Sequence, residues 1–93
     1  MIRVRFFTLL QLLLERKELE LPFIPGERVG ELLFRVQKDI DTPFLHKLLE
    51  DSGEMRPGTI IMINGQHIFH LDKLKTQLSE GDEVALFPPG GGG

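Results

Sequence analysis

Gly81-Asp82-Glu83-Val84-Ala85-Leu86-Phe87-Pro88-Pro89, followed by Gly90 to Gly93, is the stretch that decides how the rest of the chain reads. Val84 and Leu86 alternate with Ala85 and Phe87, the period-two signature of a short strand. Pro88 and Pro89 end it. They remove backbone donors and favour an extended path, so the chain is expected to leave its sheet in a stiff direction. The glycines beyond them have no side chain, so such a tail can thread a channel too narrow for other residues. It also carries a free α-carboxylate on a slim tether. A frayed end or a linker stub is the plain alternative. Against it, these glycines link nothing, and they follow an apolar strand and a proline pair with no polar spacer. The expected division is a folded domain over residues 1–89 and a flexible glycine tail over 90–93.

Just upstream, Ser79-Glu80-Gly81-Asp82 turns into this strand, and Leu71, Leu74 and Leu78 are expected to pin a loop with a helical turn over 70–77. Before that loop, Pro57-Gly58 introduces a strand over 59–63. Asn64-Gly65 then marks a tight hairpin to a short return strand over 66–69. At the other end, residues 1–7 read as a strand with Ile2, Val4 and Phe6 on one face and Arg3, Arg5 and Phe7 on the other. Thr8-Leu9-Leu10-Gln11 has capping-box spacing and predicts a short helix to about Arg16, with Leu9, Leu10, Leu13 and Leu14 turned inward. Residues 18–23 alternate cleanly, and Pro22 places them at a sheet edge. Val29, Leu32, Leu33, Val36 and Ile40 form one apolar stripe and predict the main helix, from about Glu27 to between Gln37 and Ile40. Gly30 weakens that helix by about 1 kcal/mol relative to alanine. Thr42-Pro43 is expected to cap a second short helix, 44–50.

This order predicts an α+β domain, a mixed sheet of four to five strands with one principal helix packed on one face. The other face stays open. Phe7, Ala85, Phe87 and either Ile60 and Met62 or Ile61 and Ile63 are candidates to line it, as a protein-binding patch beside the tail.

Composition narrows the function. Ninety-three residues make one small domain, and 41% hydrophobic with 27% charged residues is ordinary globular usage. Eleven basic and 14 acidic residues leave a net charge of -3 with no basic stripe, which argues against nucleic acid as a partner. Cysteine is absent, excluding disulfides, thiolate metal sites and a cysteine nucleophile. No apolar run approaches the roughly 20 residues of a membrane span. The cytoplasm is the expected compartment.

The residues quoted above resemble the ThiS/MoaD-type sulfur carriers of the ubiquitin-like β-grasp superfamily, nearest to the small subunit of molybdopterin synthase. The resemblance spans nearly the whole chain: the aromatic opening strand and leucine-rich helix, Val29-Gly30-Glu31-Leu32-Leu33, Ile63-Asn64-Gly65 and the closing Gly81–Pro89 block with terminal glycine. The closing block is its most specific part. It implies that the carboxylate of Gly93, with Gly92 completing the terminal pair, is adenylated by a ubiquitin-activating-like adenylyltransferase using ATP and then becomes a thiocarboxylate. This chain would bind no cofactor itself. In the molybdopterin branch the tail inserts into the large subunit of molybdopterin synthase, which supplies the catalytic residues while the small subunit supplies sulfur. Phe7, Ala85 and Phe87 would give docking area, Pro88 and Pro89 would aim the tail, and Gly90 and Gly91 fill a space that usually holds a variable residue or two. The same resemblance admits sulfur carriage for thiamine or tRNA thiolation and ubiquitin-like attachment to protein lysines. A non-covalent β-grasp binding module is the remaining alternative.

Other chemistry is poorly served. His67 and His70 do not share a point in a strand-to-loop region, and with His46 they fall short of a zinc set. Asp82 and Glu83 are adjacent in a strand and point apart. Arg3, Arg5, Lys73 and Lys75 are expected on a solvated surface that could guide an acidic partner.

Overall fold

The computed structural model describes residues 1–90; Gly91, Gly92 and Gly93 lie outside the described residues. Five strands form one sheet: β1 (Ile2–Phe6), β2 (Glu18–Leu21), β3 (Ile60–Ile63), β4 (Gln66–His67) and β5 (Glu83–Phe87). Their spatial order is β2-β1-β5-β3-β4. β1 and β5 run parallel at the centre, and every other pairing is antiparallel. The sheet is therefore mixed, and β2 is an edge strand, as Pro22 just beyond it requires.

Helix α2 (Val29–Asp39) follows from its stripe: Val29, Leu32, Leu33 and Val36 are buried, and Ile40 caps its end. They join the inward residues Ile2, Val4, Phe6, Ile61, Ile63, Val84 and Leu86 of the sheet in a single core. At the start of α2 the Glu31 carboxylate accepts from the N–H of the N-cap, Arg28, at 2.9 Å, an orphan donor satisfied from within the first turn. Glu27 lies just before the helix. It is buried and receives a two-pronged contact from Arg35, Nε to Oε2 at 2.9 Å and Nη2 to Oε1 at 2.8 Å. The same Arg35 Nη2 donates to the carbonyl of Pro22 at 2.7 Å, so one guanidinium ties α2 to the chain leaving β2.

Asn64-Gly65 makes the hairpin between β3 and β4, with φ of 51° and 84° and Ile63 opposite Gln66, the positive pair that a two-residue turn needs. The Asn64 side chain then reaches a third strand. Its Nδ2 donates to Asp82 Oδ1 at 2.9 Å, and its Oδ1 accepts from Glu83 N–H at 2.9 Å.

Four expectations change. α1 (Leu9–Leu14) forms, but Thr8 makes no capping bond; its hydroxyl donates to the Phe7 carbonyl at 2.8 Å. Thr8 has φ 52°, because the chain turns sharply out of β1, and that geometry removes the box. Only Leu10 and Leu14 of α1 are buried, so Leu9 and Leu13 face outward. The expected helix over 44–50 is a single 3-10 turn, Leu45–Lys47, preceded by Phe44 rather than Thr42. Gln37 supplies the local bonds instead: its Oε1 accepts from Phe44 N–H at 2.9 Å, and its Nε2 donates to the Ile40 carbonyl at 3.0 Å. Finally, β4 ends at His67, since Ile68 is fully buried and the chain curls into a 3-10 turn, Ile68–His70, to place it.

Candidate functional site

The tail leaves from the end of β5, a central strand, and the residues around that exit define the candidate site. Register decides what faces outward there. Ile60 pairs with Phe87 and Met62 with Ala85, while Ile61 and Ile63 turn into the core. The open face therefore carries Ile60 and Met62, a choice that strand 59–63, apolar on both sides, left undecided. Phe7 follows β1 and stacks on Phe87 with ring centroids 4.4 Å apart and planes 10° from parallel. Phe7, Phe87 and Ile60 thus form an apolar row across three strands at the tail end of the sheet. Ala85, Met62 and His67 make the next row, His67 lying opposite Met62.

The far half of the same face is charged. Arg3 Nε lies 3.3 Å from Glu18, Arg3 Nη2 lies 3.5 Å from Glu20, and Arg5 Nη1 lies 3.0 Å from Glu83. These pairs are solvent-exposed and worth at most about 1 kcal/mol each. Their consequence is directional. Arg3 and Arg5 are committed to neighbouring carboxylates instead of standing free to guide an acidic partner, and the uncharged part of the face is confined to the tail end. Arg5 marks the border, with its guanidinium carbon 5.0 Å from the Phe7 ring centroid.

The chain is still packed on the domain where the glycines begin. Pro88 is buried and Pro89 half-buried, while Gly90 is exposed. Arg56-Pro57-Gly58-Thr59 is a tight turn, closed by Thr59 N–H to the Arg56 carbonyl at 3.0 Å, with Gly58 at φ 91°. A Cβ on Gly58 would lie 3.4 Å from Pro89 Cβ and 3.5 Å from its Cα. Gly58 is therefore favoured by its φ, and an added Cβ would just touch the Pro89 ring. Sequence reading took Pro57-Gly58 as the lead into a strand and had no means of finding the contact, because Gly58 and Pro89 are far apart along the chain. Of the residues singled out from sequence, Phe7, Ala85, Phe87, Pro88, Pro89 and Gly90 are brought together here, and Gly91, Gly92 and Gly93 lie outside the described residues.

On its other side the exit borders a groove of about 570 Å³, lined by Leu9, Leu10, Leu13, His46, Lys47, Arg56, Pro88 and Pro89. The sequence held a signal for it, the excess of leucines in so short a helix, but that excess reads equally as core. Among the described residues no cluster of three or more histidines, cysteines or carboxylates is arranged to hold a metal ion. His67 Nδ1 instead accepts from Phe69 N–H at 3.1 Å, and the two rings stack 4.5 Å apart. No helix among the described residues is long and apolar enough to cross a membrane.

Comparison with known proteins agrees with this geometry. The ThiS family profile matches residues 4–93. Over 92 residues the chain is 32% identical to small archaeal modifier protein 3 of Haloferax volcanii, covering 99% of this chain and 98% of that one. It is 31% identical over 88 residues to ubiquitin-related modifier 1 of Schizosaccharomyces pombe, covering 91% of each. The solution structure of small archaeal modifier protein 1 from Methanosarcina acetivorans matches with a TM-score of 0.81 at 28% identity, over 99% of this chain and 95% of that chain. The α+β mixed sheet expected from the residues, and the ubiquitin-like β-grasp implied by the resemblance, are the fold observed.

Proposed function

The chain belongs to the ThiS family of ubiquitin-like sulfur carriers, and on that premise we propose that it presents the Gly93 carboxylate for activation and carries sulfur as a C-terminal thiocarboxylate. It has no catalytic machinery of its own in this reading. A ubiquitin-activating-like adenylyltransferase joins the carboxylate to the α-phosphorus of ATP with loss of pyrophosphate. A sulfide nucleophile then displaces AMP from the acyl-adenylate. Activation splits one difficult transfer into two easier steps, because a free carboxylate is a poor electrophile. Glycine at the reacting end crowds neither the nucleotide pocket nor the acceptor's site.

The observation that carries the reading is the exit of the tail. A central strand ends in a buried proline, a second proline rests on Gly58, and only then do the glycines begin. A rigid base with a slim end concentrates the ordering cost of insertion, about 1–2 kcal/mol per residue frozen, on the glycines alone. The proposed consumer of the sulfur is molybdopterin synthase, with the apolar row of Phe7, Phe87 and Ile60 docking against its large subunit. The cytoplasm is the proposed site of the reaction.

A second reading is supported by the names of the two relatives described above, one a small archaeal modifier and the other a ubiquitin-related modifier. In it the activated Gly93 carbonyl is captured by a protein lysine. The base and tail serve either fate. The test is the intact mass of the protein from its native host, before and after incubation with the host's activating enzyme, ATP and a sulfur donor. Exchange of one oxygen for sulfur at Gly93 is the expected result, and a persistently unmodified mass overturns the carrier reading. Deleting Gly93 then separates the fates, by loss of molybdopterin in the first case or of lysine-linked Gly-Gly adducts in the second.

A further inference from the structure

α1 exposes more apolar surface than a helix of six residues ordinarily does. Leu9, Leu12 and Leu13 are 52%, 73% and 39% exposed. Leu9 and Leu13 stand one turn apart on one side of the helix, where they line the groove beside Pro88 and Pro89. The groove is also lined by His46, Lys47 and Arg56. Arg56 is engaged, its Nε donating to the His46 carbonyl and its Nη1 lying 3.2 Å from Glu50. Lys47 is exposed and, among the described residues, has no carboxylate within ion-pair distance. With Arg56 engaged, Lys47 leaves one uncompensated positive charge beside an apolar lining.

We propose that this groove is a second docking surface, separate from the open sheet face, and that it receives an apolar segment bearing a carboxylate on the activating enzyme. The proposal rests on the carrier reading. Two features argue for that occupant. The prolines that guide the tail are themselves part of the lining, so a protein that grips the tail at its root covers the groove. The free ammonium of Lys47 at the rim also selects an apolar segment with an acidic flank over a purely apolar one. The activating enzyme is the partner specified because each fate considered for Gly93 passes through it. The tail is then held from both sides, by the Phe7–Phe87 row on one and by the leucines and Lys47 on the other.

The experiment is ATP–pyrophosphate exchange by the host's activating enzyme, with the concentration of the full chain varied. The variants are Lys47→Glu, the double variant Leu9→Ser/Leu13→Ser, and Phe34→Ser, an exposed aromatic outside the groove. All four side chains are solvent-exposed, and thermal unfolding verifies that each variant is folded. Both groove variants are expected to raise KM about tenfold with kcat nearly unchanged, and the defect of Lys47→Glu is expected to shrink as salt is raised. Phe34→Ser is expected to leave both constants unchanged. Unchanged KM in both groove variants overturns the inference and leaves the carrier reading standing. A fall in KM, the sign of a tail released from its own groove, also overturns it, as does a loss of self-association in the groove variants with KM unaltered. Absence of exchange with the unaltered chain overturns the carrier reading, and this inference with it.

Discussion

Gly58 and Gly53 offer a matched pair for asking whether the root of the tail is held in position. Both have φ 91°, so alanine at either one meets the same backbone strain. That strain costs about 1–2 kcal/mol for an L-residue. In a domain of this size it corresponds to a fall in Tm of roughly 4–16 °C. The surroundings differ. A Cβ at Gly53 has nothing within 4 Å, whereas one at Gly58 meets Pro89 Cβ at 3.4 Å. Pro89 cannot yield by changing rotamer, because its ring is closed, and Pro88 before it is buried. The Cβ of Gly58→Ala would meet that ring at an ordinary contact distance, so displacement of the tail root comes from the turn shifting to relieve its φ strain. Gly53→Ala is expected to lower Tm and leave activation of Gly93 unchanged. Gly58→Ala is expected to lower Tm by a similar amount and also to slow pyrophosphate exchange about three- to tenfold, because the shift that relieves its φ strain moves the turn on which Pro89 packs, and misplacing a reacting group by a fraction of an ångström is costly. Melting curves and exchange rates on the two purified variants, measured well below either Tm, decide it. Equal exchange rates would refute the idea that Gly58 directs the tail.

Two further predictions concern the fold. Arg35→Ala leaves the buried Glu27 carboxylate without its partner and frees the Pro22 carbonyl. A fully buried pair broken this way costs about 3–5 kcal/mol; with Arg35 21% exposed, about 2–3 kcal/mol is expected. Urea unfolding should show a lower midpoint with an unchanged slope, and a loss under about 1 kcal/mol would mean that water already solvates the carboxylate. Gly30→Ala should stabilise the protein by about 0.5–1 kcal/mol, because it restores helix propensity. Its Cβ would lie 3.5 Å from the Leu74 carbonyl oxygen and 3.7 Å from Leu74 Cβ, ordinary contact distances. A measured destabilisation would show that the loop packs more tightly on α2 than this geometry allows.

Several elements were legible because their causes are local. The stripe of Val29, Leu32, Leu33, Val36 and Ile40 needs only helical periodicity, and all five are buried. Asn64-Gly65 needs only two residues that tolerate positive φ, and both adopt it. Pro22 marked the edge strand because a proline cannot complete an inner ladder. The misread elements share another trait. Thr8-Leu9-Leu10-Gln11 has the right spacing for a capping box, but the path out of β1 forces Thr8 to a φ that breaks it. The expected strand over 66–69 stops early because burying Ile68 outweighs two more residues of edge pairing.

The sequence by itself determined the main helix, the hairpin and the glycine end with its proline base, since each rests on residues within a few positions of one another, and the family, through several such local blocks along the chain. Only the tertiary structure decided that Ile60 and Met62 share the open face with Phe7 and Phe87. It alone decided that Arg3 and Arg5 are spent on Glu18, Glu20 and Glu83, that Glu27 is clamped by Arg35, and that Pro89 leans on Gly58. Register, sheet order and ion pairing are settled by which distant segments meet. A short window of sequence holds only one side of each such contact.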